Sequence, residues 1–278
     1  MKKINIFLFK SGTKIENFGE CLCKEIINKL GFEPNSYSNI YPPTGVFEYI
    51  LTGIGGLLNH EYYSKFFSKA KKWYIWGSGA NCNGEGGKVS QDVLKNKCII
   101  SLLRGPLTKE YYGIKDDVLL GDPGYLTSYF FKFPKETKKN VLINHWWDAH
   151  ASNVKKPILG VDIHLSAGLN PDKTGSFSKS FTYMLNSIAN ANIVLTSSMH
   201  VAIVAYSYGV PFAMVAKRGC DLATEWKWSD TLLNIGISKK IVLCKSIEEG
   251  FNWYNSVKDE IEPITIEYQE KIIGAFPF

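Results

Sequence analysis

Short apolar runs that end in glycine or hydroxyl turns recur along this chain, separated by stretches with helical spacing. That alternation constrains the fold more than any other feature. Residues 46–52 and 73–76 are such runs, followed at once by Gly53-Ile54-Gly55-Gly56 and Gly77-Ser78-Gly79. Glycines directly after a strand let the backbone turn tightly and let a ligand approach closely. Residues 4–9, 98–103, 141–143, 193–195 and 212–215 repeat the strand pattern. Between them lie amphipathic stretches. Around 20–30, Leu22, Ile26, Ile27 and Leu30 share a face, and over Ser178–Ala189 so do Phe181, Met184, Leu185 and Ile188. Strands alternating with helices predict an α/β layer architecture. Phe133 to Asn140 is polar, charged and carries Pro134, so it reads as a linker. The expectation is two Rossmann-like lobes, 1–135 and 136–278, joined near 131–140. Ligands should sit in the central cleft, beyond the carboxyl ends of the strands.

Composition excludes several classes. The chain has 278 residues, 45% hydrophobic and 21% charged, enough for a sizeable core and unlike a disordered chain. The uncharged apolar runs fall short of the roughly 18–20 residues that span a bilayer. The start, Met1-Lys2-Lys3-Ile4-Asn5-Ile6-Phe7-Leu8-Phe9-Lys10, has too short an apolar stretch for a signal peptide and reads as a first strand. A cytoplasmic protein is expected, with its cysteines reduced. Cys21 and Cys23 are spaced C-x-C, and no second pair has zinc-site spacing, so no metal is expected. The formal net charge is +6, yet only Arg104 and Arg218 among 32 basic residues are arginine. Guanidinium is the fork that grips carboxylate or phosphate bidentately. The mild basicity suits an anionic substrate or an anionic membrane face. It lacks the arginine-rich stripe of a nucleic-acid binder.

The most informative stretch is Leu195-Thr196-Ser197-Ser198-Met199-His200, continuing through an apolar run to Tyr208-Gly209-Val210-Pro211. A strand ends in hydroxyl residues, which read as a strong helix cap, and a histidine follows in the first helical turn. Such a helix start binds anions through its free N–H groups and its dipole. Ser197 and Ser198 add hydroxyls, and His200 can hold an anion or move a proton. His145 follows the strand at 141–143 within His145-Trp146-Trp147-Asp148 and is a second cleft candidate. His164 is a weaker one, and His60 and His150 read as solvated. The loops Gly53-Ile54-Gly55-Gly56 and Asn83-Gly84-Glu85-Gly86-Gly87-Lys88 lack the spacing of a nucleotide-binding motif and read as cleft-lining turns, with Gly55 and Gly79 as candidate binding glycines.

Taken in order, several pieces resemble the polysaccharide pyruvyl transferase family: Asn17-Phe18-Gly19-Glu20, Gly53-Ile54-Gly55-Gly56, Trp76-Gly77-Ser78-Gly79, Leu103-Arg104-Gly105-Pro106-Leu107-Thr108, Leu120-Gly121-Asp122-Pro123, Ser197-Ser198-Met199-His200 and Lys227-Trp228-Ser229-Asp230. The Trp-Gly-Ser-Gly, Arg-Gly-Pro-Leu-Thr and Lys-Trp-x-Asp forms look most like the succinoglycan-type branch. The resemblance implies a two-lobed glycosyltransferase B (GT-B) architecture. It also implies transfer of the enolpyruvyl carbons of phosphoenolpyruvate onto a sugar, giving a pyruvate ketal and phosphate, with no cofactor. The acceptor would be a surface polysaccharide or its lipid-linked oligosaccharide precursor, with the protein in the cytoplasm or at the inner face of the membrane. A nucleotide-sugar glycosyltransferase on the same scaffold, or a sugar-binding relative without activity, are the alternatives.

Forming a ketal from an enol ether needs an acid for the methylene carbon and a base for the sugar hydroxyl. Histidine titrates closest to neutrality, which makes His200 the candidate acid. Glu20, Asp122 and Asp230 are the candidate bases. Arg104, at a strand end, is the candidate grip on the donor. Many relatives carry arginine two residues before the histidine, where this chain has Ser198. Arg218, Lys217 and Lys227 are the cations that could take its place.

Overall fold

The computed structural model describes residues 1–10, 14–42, 44–80, 87–146, 160–172, 174, 176–215, 222–239 and 241–278, with only the backbone of 222–224. The first lobe is built on β1 (Lys2–Phe7), β3 (Phe32–Tyr37), β4 (Phe47–Thr52), β5 (Ala70–Trp76), β6 (Cys98–Leu103) and β7 (Leu119–Leu120). They form one parallel sheet in the order β3-β1-β4-β5-β6-β7. The second lobe carries β8 (Lys139–Asn144), β9 (Ile163–Ser166), β11 (Ala191–Thr196) and β12 (Phe212–Met214), parallel in the order β12-β11-β8-β9. Two parallel α/β lobes are therefore present, as the alternation in the sequence predicts.

Each sheet has one place where strand order reverses, between β1 and β4 in the first lobe and between β8 and β11 in the second. Helices leave such a point on opposite faces, so the strand ends there open a crevice. The expected strand at residues 4–9 stops at Phe7, which frees Phe9 to line that opening.

A two-residue strand, β2 (Glu16–Asn17), pairs antiparallel with β10 (Gly168–Leu169) and ties the lobes together. The Phe18 N–H donates to the Ala167 carbonyl at 2.9 Å, continuing the tie. Helix α1 (Phe18–Lys29) starts there because the Asn17 side chain accepts the Gly19 N–H, an N-cap bond. Its Leu22, Ile26 and Ile27 are fully buried. They join a core that runs without a break into the second lobe, through Val141, Ile143, Leu195 and the helix α7 (Met199–Ser207). A separate cluster around Phe67, Trp73 and Leu103 fills the far side of the first sheet.

Six further helices were drawn weakly or not at all by the sequence pattern: α2 (His60–Tyr62), α3 (Gln91–Asn96), α5 (Thr127–Phe130), α8 (Leu222–Asn234), α9 (Ile247–Val257) and α10 (Ile266–Gly274). A short helix, α4 (Pro106–Tyr112), follows β6, and the expected helix over Ser178–Ala189 stands as α6 (Ser178–Ala189). Helix α10 returns to the first lobe. There the Trp76 indole donates to the Ile272 carbonyl at 3.1 Å, and Gln269 donates to the Tyr125 carbonyl at 2.6 Å. Phe276 then packs on Trp76, with ring centroids 4.9 Å apart. The end of the chain thus covers the first sheet, although it follows the second in sequence. No helix among the described residues is long and apolar enough to cross a membrane.

Candidate functional site

Both reversal points open onto one cavity of about 330 Å³. Phe9 enters it from the end of β1, and Gly55, Gly56 and Leu57 from the loop after β4. His145 and Trp146 enter from the end of β8, and Ser197, Ser198 and His200 from the end of β11. Glu20 in the first turn of α1 and Lys227 of α8 add to the polar lining. The volume is at the small end of the range for ligand sites, about 300–1,000 Å³.

The hydroxyls at the end of β11 do not act as the sequence predicts. Ser198 takes the N-cap position of α7, but its side chain makes no cap bond. Thr196 donates to the Ile143 carbonyl at 2.6 Å and accepts the Ser198 N–H at 2.9 Å. Ser197 accepts the His145 N–H at 2.8 Å. These bonds clamp the ends of β8 and β11 together. The first turn of α7 is left without a side-chain cap, facing the cavity with its N–H groups and positive dipole end.

Two titratable groups here each leave a buried atom without a hydrogen-bond partner. Among the described residues, buried side-chain polar atoms without a hydrogen bond are Glu20 Oε2, Asp122 Oδ2, Arg104 Nη1, His200 Nε2 and the Trp253 indole N–H. Such atoms are rare in folded proteins and call for an explanation. Two of them, on Glu20 and His200, belong to residues that line the cavity. Burial pushes the Glu20 carboxyl up to about 8 from the usual 4.5, against the opposing Phe9 N–H and with help from Glu16. Burial pushes the His200 imidazole down to about 3 from 6.5, aided by the positive charges of Arg104 and Lys227. These shifts keep Glu20 protonated and His200 neutral near pH 7.

Other expected residues lie elsewhere. Arg104 does not reach the cavity: it is fully buried, with Nε 3.0 Å from Asp230 Oδ2 and Nη2 donating to the Ala80 carbonyl at 2.8 Å. Gly79 does not line it either. A Cβ there would lie 2.4 Å from Arg104 Cζ, so the glycine makes room for the guanidinium. Asp230 accepts two more bonds, from the Thr108 N–H at 3.0 Å and the Thr108 hydroxyl at 2.6 Å, which removes it as a free base. Asp122 is enclosed beneath the site, where one oxygen accepts the Gly124 N–H at 2.7 Å. Burial raises its carboxyl to about 7, against the Gly124 bond and Arg104. His164 is exposed and bonds Asn144, with 2.9 Å between nitrogens. Lys217, Arg218, His150 and residues 83–86 lie outside the described residues. Among the described candidate cations, Lys227 lines the cavity and Arg104 does not.

Sequence reasoning missed Phe9, Asn17, Leu57, Tyr62, Met199 and Trp228 as lining residues, whereas Trp146, beside His145, was expected in the cleft. Asn17 and Trp228 stand inside motifs already singled out. Tyr62 carries no sequence signal: it enters because Asn59 caps its short helix, accepting the Tyr62 N–H at 2.9 Å.

The sequence model of the polysaccharide pyruvyl transferase family matches residues 23–217, and the chain belongs to that family. The match includes Arg104, Asp122, His145 and Ser197–His200, whereas Glu20 and Lys227 fall outside it. The succinoglycan biosynthesis protein ExoV of Rhizobium meliloti (strain 1021) is 26% identical over 204 residues, which is 73% of this chain and 57% of the relative. This chain therefore spans little more than half the length of that relative. Among solved structures, a Klebsiella pneumoniae protein is similar with a TM-score of 0.49 at 14% identity, over 86% of this chain and 92% of the other. A structure of S. aureus MnaA with UDP is similar with a TM-score of 0.39 at 10% identity, over 99% and 91%.

Proposed function

We propose that this member of the polysaccharide pyruvyl transferase family moves the enolpyruvyl carbons of phosphoenolpyruvate onto a sugar of a surface polysaccharide or its lipid-linked precursor. It works in the cytoplasm, at or near the inner face of the membrane. The observation that carries the reading is the convergence of both reversal points on a cavity holding an uncapped helix start, a lysine and two titratable atoms without partners. Phosphoenolpyruvate is small and carries a phosphate and a carboxylate. The α7 N–H groups and Lys227 supply the positive field such a dianion requires.

The protonation states favour a division of labour opposite to the one read from sequence. Glu20 gives its proton to the methylene carbon of the donor, leaving a cationic C2. A sugar hydroxyl bonds to C2 and passes its proton to neutral His200. The C2–O bond to phosphate then breaks, and the phosphate leaves with the electron pair and the proton from His200. A second hydroxyl bonds to C2, gives its proton back to Glu20 and closes the ketal. Both residues end as they began. A general acid and base of this kind each contribute about 10²–10⁴-fold.

The test is a melting experiment with phosphoenolpyruvate and, separately, UDP. Phosphoenolpyruvate at about 100 times its dissociation constant should stabilise the fold by about 2.7 kcal/mol, and UDP should not. A shift with UDP alone would overturn the reading in favour of a nucleotide-sugar enzyme.

A further inference from the structure

We infer that a second chamber, beside the first, is where the acceptor sugar sits while the donor occupies the main cavity. This inference rests on the proposed pyruvyl transfer. The chamber has a volume of about 210 Å³ and is bounded by Phe9, Lys14, Glu16, Asn17, Glu20 and Phe177, among others. Phe9, Asn17 and Glu20 also line the main cavity, so the two spaces meet at these three side chains.

The chambers differ in chemistry. The main cavity presents Lys227, His200 and the start of α7, a set suited to an anion. The second chamber offers the half-buried rings of Phe9 and Phe177, which can pack against the apolar face of a pyranose. Its carboxylate at Glu16 is already engaged. One Glu16 oxygen lies 3.8 Å from the Lys10 ammonium, and the other accepts the Cys21 thiol at 3.0 Å. Asn17 uses its carbonyl oxygen on the Gly19 N–H, leaving its amide N–H groups to donate to sugar hydroxyls. The β2–β10 pairing fixes this wall, because Glu16 and Asn17 are the two residues of β2. Phe177 immediately precedes α6 in the second lobe, so both lobes contribute to the chamber.

Glu20 stands at the junction, where the mechanism needs it. From there one carboxyl faces the methylene carbon on the donor side and the incoming hydroxyl on the acceptor side. The ligand class is accordingly a pyranoside with two hydroxyls placed close enough to bond one carbon.

Saturation-transfer NMR on the whole chain tests this, with phosphoenolpyruvate and with the methyl pyranosides of galactose, glucose and mannose as probes. Phe177→Trp fills the chamber and Phe177→Ala removes its aromatic wall, and thermal melting confirms that each variant folds. The expected result is that at least one pyranoside binds together with phosphoenolpyruvate. Both Phe177 variants then weaken that pyranoside roughly tenfold, the worth of one good aromatic contact, without weakening phosphoenolpyruvate. The inference is overturned if phosphoenolpyruvate displaces every pyranoside, if both variants bind the sugar as wild type does, or if no pyranoside binds while phosphoenolpyruvate does. Failure of wild type to bind phosphoenolpyruvate would instead overturn the proposed function, whatever the sugars do.

Discussion

The His200 imidazole lies directly against Gly19: a Cβ built on that glycine would sit 2.4 Å from Nδ1 and 2.9 Å from Cγ. The two residues belong to the first turns of α7 and α1, so the glycine sets how closely the two helix starts approach. Gly19→Ala should therefore leave α1 intact, since alanine is favoured over glycine in a helix by about 1 kcal/mol. It should nevertheless push the imidazole aside. Misplacement of a reacting group by about 1 Å can cost a hundredfold in turnover. Circular dichroism and steady-state rates together check this; a variant that keeps wild-type turnover would show that the ring position is immaterial.

Arg104 and Asp230 couple the strand end of β6 to α8, and Lys227 lies one helical turn before Asp230. Breaking a buried ion pair from one side leaves an uncompensated charge, at a cost of about 3–5 kcal/mol, whereas replacing both partners by apolar groups is often close to neutral. Arg104→Met and Asp230→Leu should each destabilise the protein strongly in urea unfolding. The double variant should be far more stable than the sum of the two losses predicts. Simple additivity would show that the pair is not energetically coupled.

That pair also marks where the sequence was legible and where it was not. The strand runs and the helices α1, α6 and α7 could be read because burial on one face writes a period into the residues. Strand β3 could not: Phe32-Glu33-Pro34-Asn35-Ser36-Tyr37 is polar and contains a proline, which an edge strand tolerates. In the site, His200, Glu20, Ser197, Ser198, His145 and Gly55 could be read because strand ends and helix starts announce themselves locally, whereas Lys227, inside α8, came only from the family resemblance. The position of Arg104 could not. A guanidinium at a strand end looks the same whether it meets a ligand or an aspartate 126 residues away in the chain. Nor could the protonation states be read, because desolvation depends on what the other lobe covers.

Glu20 predicts a pH dependence of stability. Its carboxyl titrates near 8 when folded and near 4.5 when unfolded. The folded state holds the extra proton, so this contribution is complete below 4.5 and is lost as pH rises to about 8. Asp122 behaves alike but is half titrated by about 7, and His200 acts in the opposite sense, losing stability as pH falls from 6.5 toward 3. Between pH 7 and 8, Glu20 changes stability most of the three, with a smaller remainder from Asp122. Wild type should lose on the order of 1 kcal/mol there, roughly 2–4 °C in melting temperature. Glu20→Gln should remove most of that decline. A decline of the same size in the variant would assign it to another group.

The pH dependence of kcat/KM decides which residue is the acid. If Glu20 delivers the proton, activity needs its protonated form, so the rate stays level from about pH 5 to 7 and falls above about 8. If His200 delivered it from the free enzyme, activity would need the imidazolium, and the rate would already decline above about 3. Bound phosphoenolpyruvate favours the imidazolium, since its charge exceeds the roughly half-charge of the α7 start. The kcat profile, which reports the loaded enzyme, can therefore shift for His200 while the kcat/KM profile cannot. His200→Gln and Glu20→Gln should each lower turnover by about a hundredfold or more while donor binding persists. The profile of His200→Gln should keep the fall above about 8, because Glu20 still titrates. Loss of that fall in His200→Gln, with a near-normal rate in Glu20→Gln, would return the acid role to His200.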